Sequence, residues 1–430
     1  MMRILHVLLA YYRARKLVFR TREELEAHQD RKLETFRKTL VKSSPYFARF
    51  SSIPMDEWPQ MDKAGMLAHF DQMNTAGLKL KDVFDTALAC ENSRDFKPTL
   101  GGVNVGLSSG TSGQRGVFAI NSREAAKWAG IILAKTLPDG LFAGERIALF
   151  LRANSNVYEA VQSGWMTYRF FDLFNSFEDN VALLEAYRPT IIVAPAQVLR
   201  ELALRVISGE RRIQPKKVIS VAEVLEPLDR DLIEQVFHPV HQVYQATEGF
   251  LAATCELGTL HLNEEYLRIE PRWLDDERRR FTPVITDFTR LTQPIVRYHL
   301  NDILVAGKTA CPCGRVTRSL EAIEGRCDDM LVLPGTERPS VTVFADLLSR
   351  VFARSLARNA DYRLVQTGAA TLHLHASVDE SSLRQLKHTL SAALEQVGVE
   401  AAALTWELHT DVPPSNAMTK RRRIIRHAQT

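Results

Sequence analysis

The sequence predicts an α/β fold made of a large N-terminal domain followed by a small C-terminal α+β domain. Between residues 145 and 250, short apolar runs alternate with helix-like segments, which is typical of a parallel sheet covered by helices on both faces. Residues 330–430 show the order β-α-β-β-α-β, that of a small split-βαβ domain. The length of 430 residues exceeds the roughly 250–300 residues that a single core holds, so two domains are expected.

The predicted elements follow from these patterns. Residues 1–100 are predicted to be mainly helical, and a helix over 22–43 has Leu25, Leu33, Phe36 and Leu40 on one face. Apolar runs predict strands at 147–151, 191–193, 218–221 and 240–244, separated by helices near 155–165, 178–187, 196–208 and 228–237. In the C-terminal unit the patterns predict strands at 331–333, 361–366, 370–376 and 403–408, and helices at 341–354 and 381–397. These elements divide the chain into an N-terminal domain, 1–327 (a helical region over 1–100 and an α/β core over 100–327), and a C-terminal domain, 328–430.

Composition excludes several function classes. A net charge of +4 on this length gives no reason to expect nucleic-acid binding. The apolar stretch at the N-terminus covers only about nine residues, too few to span a bilayer, and basic residues follow it instead of a cleavage site. We expect an amphipathic helix that packs on the body through Leu5, Leu8 and Leu9, and a cytoplasmic protein. Five cysteines are too few for a disulfide framework.

A Ser/Thr/Gly-rich segment is the first that points to chemistry. Residues 108–116 read SSGTSGQRG. Glycines let the backbone approach a ligand, successive N–H groups form an anion cradle, and hydroxyls add donors for phosphate oxygens. The segment lacks the Gly-Lys-Ser/Thr ending of a P-loop. A flexible polar loop is the alternative interpretation.

Four further segments are weak individually. YQATEG (244–249) follows an apolar run, and its Glu248 is a candidate Mg²⁺ ligand. PIVRYHLND (294–302) ends in a carboxylate suited to ribose hydroxyls. GRCDD (325–329) and PSNAMTK (414–420) complete the set.

Taken together in this order, the five segments resemble the motifs of the adenylate-forming superfamily of acyl-CoA ligases, adenylation domains and luciferases. SSGTSGQRG is similar to its phosphate-binding loop, YQATEG to its Tyr-Gly-x-Thr-Glu motif, YHLND to its Tyr-x-Thr-Gly-Asp motif, GRCDD to its hinge, and PSNAMTK to its C-terminal lysine motif. The likeness covers roughly residues 100–425. MDKAGM, FFDLF, APAQVL and SVAEVLEP place it nearest phenylacetate–CoA ligase-like proteins and a clade related to deazaflavin-adenylylating synthetases.

The resemblance implies a role for each matched residue. Lys420, Thr247 and Glu248 would be catalytic, with Glu248 also holding Mg²⁺. Contacts to ATP or AMP would come from Ser108, Ser109, Gly110, Thr111, Ser112, Gly113, Arg115, Glu223, Tyr244, Gln245, Ala246, Asp302 and Arg326. Asp328 or Asp329 would be the hinge of a mobile C-terminal domain. The cofactors would be ATP and Mg²⁺, and the activity would be formation of an acyl-adenylate with release of pyrophosphate.

The sequence departs from the family pattern at several positions. Arg115 replaces a lysine, Gln245 a glycine, Leu300-Asn301 a Thr-Gly pair, and Thr419 a glycine. Threonine adopts positive φ poorly, so Thr419 alters the loop before Lys420. A catalytically inactive relative that binds nucleotide is therefore an alternative.

A second set of residues matches a metal site. Cys255 and His261 are spaced C-x5-H, and Cys311 and Cys313 are spaced C-x-C. Three thiolates and an imidazole suit tetrahedral Zn²⁺ of the structural kind, with no open position. Phenylacetate–CoA ligase-like proteins are similar here. The alternative is four unrelated reduced side chains.

In this family the acid binds near the ends of the core strands. Candidates are Ala194, Pro195, Val221, Ala222 and Ala246, with Phe170 and Phe171 nearby. Small and aromatic residues favour an aryl or other apolar acid.

The acceptor of the acyl group is open at this stage. A thiol is favoured, from coenzyme A or from the phosphopantetheine of a carrier protein, whose phosphates would meet Arg421, Arg422, Arg423 and Arg426. An amine or a hydroxyl is an alternative acceptor, and an adenylyltransferase that leaves AMP on its product is an alternative enzyme.

Overall fold

The computed structural model describes residues 2–108, 115–153, 166–414 and 420–427. The α-helices are α1 (Met2–Lys16), α2 (Arg22–Ser43), α3 (Pro45–Ala48), α4 (Lys63–Met73), α5 (Leu80–Ser93), α6 (Ser122–Thr136), α7 (Phe177–Tyr187), α8 (Ala196–Ile207), α9 (Pro227–Ile233), α10 (Ala345–Ser355) and α11 (Glu380–Glu395). Short 3-10 helices lie at Met55–Glu57, Cys327–Asp329 and Ala401–Ala403. The helix predicted near 155–165 lies outside the described residues. Within the described residues, no helix combines the length and apolarity that a membrane span requires.

The strands are numbered in the same way, in chain order. They are β1 (Val103–Leu107), β2 (Val117–Asn121), β3 (Arg146–Leu151), β4 (Thr167–Asp172), β5 (Ile191–Ala194), β6 (Lys217–Ser220), β7 (Val240–Ala246), β8 (Gly249–Thr254), β9 (Leu260–Leu262), β10 (Leu267–Trp273), β11 (Arg280–Asp287), β12 (Ile295–His299), β13 (Asp302–Ala306), β14 (Ser319–Arg326), β15 (Leu331–Pro334), β16 (Ser340–Val343), β17 (Tyr362–Gln366), β18 (Thr371–Ala376), β19 (Thr405–His409) and β20 (Ile424–Arg426).

The large sheet has a parallel half and an antiparallel half. Its strand order is β10-β11-β13-β14-β9-β8-β7-β6-β5-β3-β4, with β12 paired to β11. Strands β3 to β7 run parallel, and helices α7, α8 and α9 lie between them in sequence. The apolar runs predicted β3, β5, β6 and β7, but β4 was missed. From β8 onward neighbouring strands are antiparallel. Because parallel strands end at the same edge, residues that follow β3, β5, β6 and β7 meet there.

The N-terminal helix packs on the body, but through a different face from the one expected. Val7 and Tyr11 are buried, whereas Leu5 and Leu9 are 55 % and 44 % exposed. The expected Leu5/Leu8/Leu9 stripe is therefore wrong except for Leu8, which is partly buried. The reason is close packing of α1 on α6: an added Cβ at Gly130 would lie 2.5 Å from the carbonyl oxygen of Val7.

The C-terminal region is an α+β unit, as expected, with a different first strand. Its four-stranded sheet has the order β19-β18-β17-β20, and α10 and α11 pack on one side through a shared apolar core. Strand β15 pairs instead with β16 in a separate hairpin. The predicted helix start at 341 is wrong because 340–343 forms β16, and the split-βαβ arrangement is wrong for the first strand.

Candidate active site

A cavity of about 1300 Å³ lies at the carboxyl edge of the parallel strands, where the sheet meets the C-terminal unit. The motif residues described by the structure converge on it. Its lining includes Ser108, Arg115, Val221, Ala222, Glu223, Tyr244, Gln245, Ala246, Thr247, Glu248, Asp302, Arg326, Asp329 and Lys420. Segments separated by up to about 300 residues of sequence therefore form one site.

The turn after β6 presents Glu223 to the cavity. Ala222 has a positive φ of 66°, a conformation that an L-residue adopts at a cost, and the N–H of Glu223 donates to the carbonyl of Val221 at 2.8 Å. The Glu223 side chain is nearly buried and accepts from Nη2 of Arg152 and the backbone N–H of Gln197, each at 3.3 Å. The strained turn and these contacts fix the Glu223 carboxylate just beyond the C-terminal end of β6.

The turn after β7 fixes Thr247 and Glu248. Glu248 is only 7 % exposed, and Oγ1 of Thr247 donates to its Oε2 at 2.7 Å. Buried Arg290 donates to the Thr247 carbonyl at 2.6 Å. Burial, together with the Glu248 carboxylate that its hydroxyl contacts, raises the pKa of Tyr298, so this tyrosine stays a hydrogen-bond donor. Glu248 thus borders the cavity as an acceptor with oxygen lone pairs still available.

Asp302, the first residue of β13, is held from the same sheet. The Tyr244 hydroxyl donates to Oδ2 of Asp302 at 2.6 Å, and Nε of Arg326 lies 3.5 Å from Oδ1. Burial, and then the charge of Asp302, raises the pKa of Tyr244 well above its ordinary value. The carboxylate is therefore oriented by a neutral donor and a cation on strands of the same sheet.

The base of the Ser/Thr/Gly-rich loop is closed by its own flanks. The N–H of Gly116 donates to the Ser108 hydroxyl at 2.7 Å, and Arg115 donates to the Ser108 carbonyl at 2.8 Å. Arg115 also forms a two-pronged ion pair with Glu91, at 2.8 and 2.6 Å. In this arrangement Arg115 connects Ser108, the first residue of the segment, to Glu91 of α5. The remaining predicted phosphate contacts, Ser109, Gly110, Thr111, Ser112 and Gly113, lie outside the described residues.

Lys420 reaches the cavity from the C-terminal unit. Burial, and then the nearby Arg326 guanidinium, lowers the pKa of Lys420, while Asp302 and Glu223 oppose the shift. The next residue, Arg421, donates its backbone N–H to Glu223 at 3.4 Å. Thr419, which was expected to alter this loop, lies outside the described residues.

The basic run after Lys420 is built into the boundary between the two units. Arg423 is 2 % exposed and bonds to both Asp229 oxygens, at 2.9 and 3.0 Å, and Arg421 also pairs with Asp229. Arg200 of α8 lies 3.2 Å from the same carboxylate. Arg422 pairs with Asp329.

The expectation that this run meets the phosphates of coenzyme A or a carrier protein is therefore wrong for Arg421 and Arg423 in this arrangement. Their guanidinium groups are committed to a carboxylate of the large domain. Tyr362 and Arg423 additionally donate to Glu226, at 2.6 and 2.9 Å, and Leu228 of α9 is buried in the C-terminal apolar core. Helix α9 is thus the docking element for the C-terminal unit.

The predicted hinge residues lie in the 3-10 helix Cys327–Asp329. Asn301, the residue before Asp302, donates its side-chain N–H to the Asp328 carboxylate at 2.9 Å. Asp329 is buried against Arg422. Both residues therefore touch groups beside the site, and which of them is the hinge stays a prediction.

Part of the cavity wall is apolar, and we call this part the apolar compartment. Val221, Ala222 and Ala246 line the cavity, as predicted, whereas Ala194 and Pro195 are not among the described lining residues and Val193 lines it instead. Phe170 does not line it either, and Phe171 stacks on Phe150 in the core. Further apolar lining comes from Phe118, Trp128, Ile132, Leu133, Ile147, Leu149, Leu151 and Met166.

Several of these residues gave no local signal in the sequence. Trp128 and Ile132 lie on α6, whose apolar spacing reads as ordinary core packing. Arg152 and Arg290 act on the site through Glu223 and Thr247, and no motif marks either arginine. The contact between such an arginine and its partner can be identified only in the folded structure, where segments distant in sequence meet.

The four predicted zinc ligands come together beside β8 and β9. Ligand atoms of Cys255, His261, Cys311 and Cys313 all lie within 4.8 Å of one another. Sγ of Cys255 is 3.9 Å from Sγ of Cys311, and Sγ of Cys313 is 3.4 Å from Nε2 of His261. Nδ1 of His261 lies 3.1 Å from the Thr317 carbonyl, a contact that leaves Nε2 free to coordinate. These separations fit a tetrahedron of atoms about 2.0–2.3 Å from zinc.

The fold is that of the acyl-adenylate-forming ligases. No protein-family model and no curated protein matches the chain at the level of sequence. Among solved structures, a 2-hydroxyisobutyryl-CoA ligase in the postadenylation state, in complex with an acyl-AMP, matches with a TM-score of 0.68 at 15 % identity, covering 94 % of this chain and 90 % of that chain. This likeness confirms the expected fold of a large α/β domain with a C-terminal α+β domain.

Two further structures sharpen the comparison. The same ligase in its thioesterification state gives a TM-score of 0.54 at 14 % identity, over 94 % of this chain and 90 % of that chain. The amide bond synthetase McbA from Marinactinospora thermotolerans gives 0.52 at 13 % identity, over 75 % and 69 %.

Proposed function

We propose that the protein activates an apolar carboxylic acid with ATP, forming an acyl-adenylate and pyrophosphate, and then transfers the acyl group to a thiol. One observation carries the proposal: Glu248, Asp302 and Lys420, from three distant segments, face one cavity whose wall includes the apolar compartment. This is the set of charges that adenylation requires, next to a space for an acyl group.

Each charged group has a task in the first half-reaction. The acid attacks the α-phosphorus in line, and negative charge grows on the phosphoryl oxygens. Lys420 would neutralise that charge, Asp302 would accept the ribose hydroxyls, and Thr247 would donate to the α-phosphate. Glu248 offers the carboxylate oxygens that Mg²⁺ prefers, and the ion would neutralise phosphate charge when bound. Catalysis then consists of positioning and electrostatic stabilisation.

The apolar compartment supports an aryl or other apolar acid. Trp128, Phe118 and Met166 contribute its larger side chains. Burial of such an acid stabilises the complex by about 25 cal/mol per Å² of apolar surface. A polar acid would gain little binding free energy from the same compartment.

The Cys/His cluster would hold a structural zinc ion. With four protein ligands, no position is open for substrate. The ion would tie the β8–β9 hairpin, which follows Glu248, to the loop between β13 and β14. Metal analysis of the purified protein is expected to give one zinc per chain that is lost in Cys311→Ser. Absence of zinc from protein prepared with zinc would overturn this assignment.

The decisive experiment is acid-dependent ATP–pyrophosphate exchange over a panel of aryl and medium-chain acids. Exchange with one group of acids, lost in Lys420→Ala, would establish acyl-adenylation. Release of AMP on adding coenzyme A or a pantetheinylated carrier protein would establish the thiol acceptor. If exchange occurs but no thiol causes release of AMP, an amine acceptor or an adenylyltransferase would be favoured. Binding of ATP without any exchange would favour a non-catalytic nucleotide-binding protein.

A further inference from the structure

A cluster of imidazoles and carboxylates lies on the C-terminal sheet, apart from the cavity and the Cys/His cluster. Strand β18 carries His373 and His375, and strand β19 carries Glu407 and His409. Residues two apart on a strand point to the same face. The parallel register sets His373 opposite Glu407 and His375 opposite His409, so all four side chains share one face.

That face is the one turned away from the helices. Leu372 and Leu374, which alternate with the histidines along β18, are fully buried in the apolar core. The His373 side chain is 25 % exposed and that of Glu407 is 52 % exposed. Solutes therefore reach the cluster from solvent while its imidazoles stay partly shielded.

The distances suit coordination of a single ion. Nδ1 of His373 lies 3.2 Å from Oε2 of Glu407, and the rings of His373 and His409 are nearly parallel, with centroids 5.9 Å apart. One ligand atom from each of His373, Glu407 and His409 lies within 4.8 Å of the others. Ligand atoms about 2.0–2.2 Å from a tetrahedral ion stand about 3.3–3.6 Å apart, so only small side-chain shifts are needed.

One nitrogen of the cluster lacks a partner. Among the described residues, buried Nε2 of His409 has no hydrogen-bond partner. A buried polar nitrogen without a partner costs free energy, and such atoms are rare in folded proteins. The His375 ring stacks on the His409 ring with centroids 4.2 Å apart, and Nδ1 of His375 lies 3.2 Å from the Asp411 carbonyl oxygen. The stack restricts the His409 ring, whose Nε2 has no partner among the described residues.

We propose that His373, Glu407 and His409 bind a divalent transition-metal ion, with Zn²⁺ as the natural probe. Two imidazoles and one carboxylate form a donor set that suits Zn²⁺, Cu²⁺ and Ni²⁺ better than Mg²⁺ or Ca²⁺. Three protein ligands leave a position open to water or another ligand, so the ion exchanges freely, unlike an ion held by the Cys/His cluster. The site is independent of the proposed enzymatic activity.

The test is a Zn²⁺ titration of the full chain against a chromogenic chelator, after tightly held metal has been quantified. The native protein is expected to bind one exchangeable Zn²⁺ per chain. His409→Ala and Glu407→Gln are each expected to weaken that binding at least about tenfold, since even loss of a residue supporting a ligand has an effect of this size. Unchanged thermal unfolding of both variants would show that the fold is retained.

Two variants serve as matched controls. His388→Ala removes an exposed histidine of α11 in the same unit, and Asp411→Asn removes a carboxylate next to the cluster. Neither is expected to change the affinity. Absence of an exchangeable ion in the native protein, or equal weakening by His388→Ala, would overturn the proposal. Weakening by Asp411→Asn but not by Glu407→Gln would overturn the ligand set, because it would place the ion between His375, His409 and Asp411.

Discussion

On the large-domain side of the cavity, Glu248 and Asp302 are held by tyrosine hydroxyls from the same sheet. On the other side, Lys420 is followed by Arg421 and Arg423, which form ion pairs with Asp229 across the boundary between the two units. Tyr244 and Asp302 remain together whenever the sheet is folded. Arg421 and Arg423 meet Asp229 only while the C-terminal unit is docked on α9. The first half of the site is therefore preformed, and the second half depends on domain arrangement.

This difference has an energetic basis. A hydrogen bond from a neutral hydroxyl to a carboxylate contributes about 1.5–3 kcal/mol. A buried ion pair adds little net stability, but removal of one partner costs about 3–5 kcal/mol because the other charge stays buried. A single change at Asp229 is thus expected to disturb the docked arrangement more than loss of one tyrosine hydroxyl disturbs the sheet half.

Of the substitutions that distinguish the two halves of the site, Lys420→Ala should reduce activity the most. We expect acid-dependent ATP–pyrophosphate exchange to fall about 10²–10³-fold, comparable to the loss of one donor to a developing negative charge. ATP affinity, measured by calorimetry, should change little because Asp302 and Glu248 belong to the preformed half. Loss of ATP binding in parallel with exchange would contradict the division.

Asp229→Asn should act on the docked half alone. Arg421 and Arg423 would lose a buried counter-ion, and we expect adenylation to fall about 10–100-fold, because some of the roughly 3–5 kcal/mol cost reappears as a smaller docked population. Acyl transfer from chemically supplied acyl-adenylate should fall less. Both rates would be measured by quenched flow.

Glu234→Gln is the control for that experiment, because Glu234 pairs with Arg230 on the same helix at a more exposed position. Equal loss in both half-reactions for Asp229→Asn, or a similar loss for Glu234→Gln, would refute a selective role for the docking ion pairs.

The pH dependence of adenylation should reflect the ionisation of Lys420, which belongs to the docked half. Burial and Arg326 lower the pKa of Lys420, so the protonated, active form is lost as pH rises through this lowered pKa. We expect kcat/KM for ATP, which reports the free enzyme, to decline on the alkaline side at a pH below the ordinary lysine pKa. Lys420→Arg should be slower but should lack this decline, since arginine stays protonated. An identical alkaline limb in both proteins would assign it to another group.

Tyr298→Phe should have the smallest effect. It removes one hydroxyl contact to the Glu248 carboxylate, and a loss of about 1.5 kcal/mol corresponds to a roughly tenfold rise in KM for Mg·ATP. Steady-state kinetics would measure it, with the thermal midpoint as a check of folding. A loss as large as that of Lys420→Ala would show that the sheet half is not preformed.

The sequence predicted the parallel strands and the turns after them because these signals are local. A short apolar run followed by Tyr244–Glu248 identifies both the strand and the residues at its end. Residue type also singled out the four predicted zinc ligands, which the structure brings within 4.8 Å of one another.

Other features depend on partners that are remote in the chain. Arg421 and Arg423 were assigned to the phosphates of an acyl acceptor, since their partner Asp229 lies about 190 residues away in sequence. Strand β16 was assigned to a helix because a four-residue hairpin strand has no period long enough to distinguish it. The face of α1 was misplaced because its partner, Gly130, marks a close approach only in three dimensions.

That close approach at Gly130 links helix α1 to the shape of the proposed acyl compartment. Helix α6 supplies Trp128, Ile132 and Leu133 to the wall of the apolar compartment, and α1 rests directly on the back of the same helix. A side chain at position 130, or a bulkier one at Ala10, would push the two helices apart and move that wall. Residues that never touch an acid are therefore a means of reshaping the compartment, and trimming or redesigning α1 becomes an approach to altering specificity from outside the site.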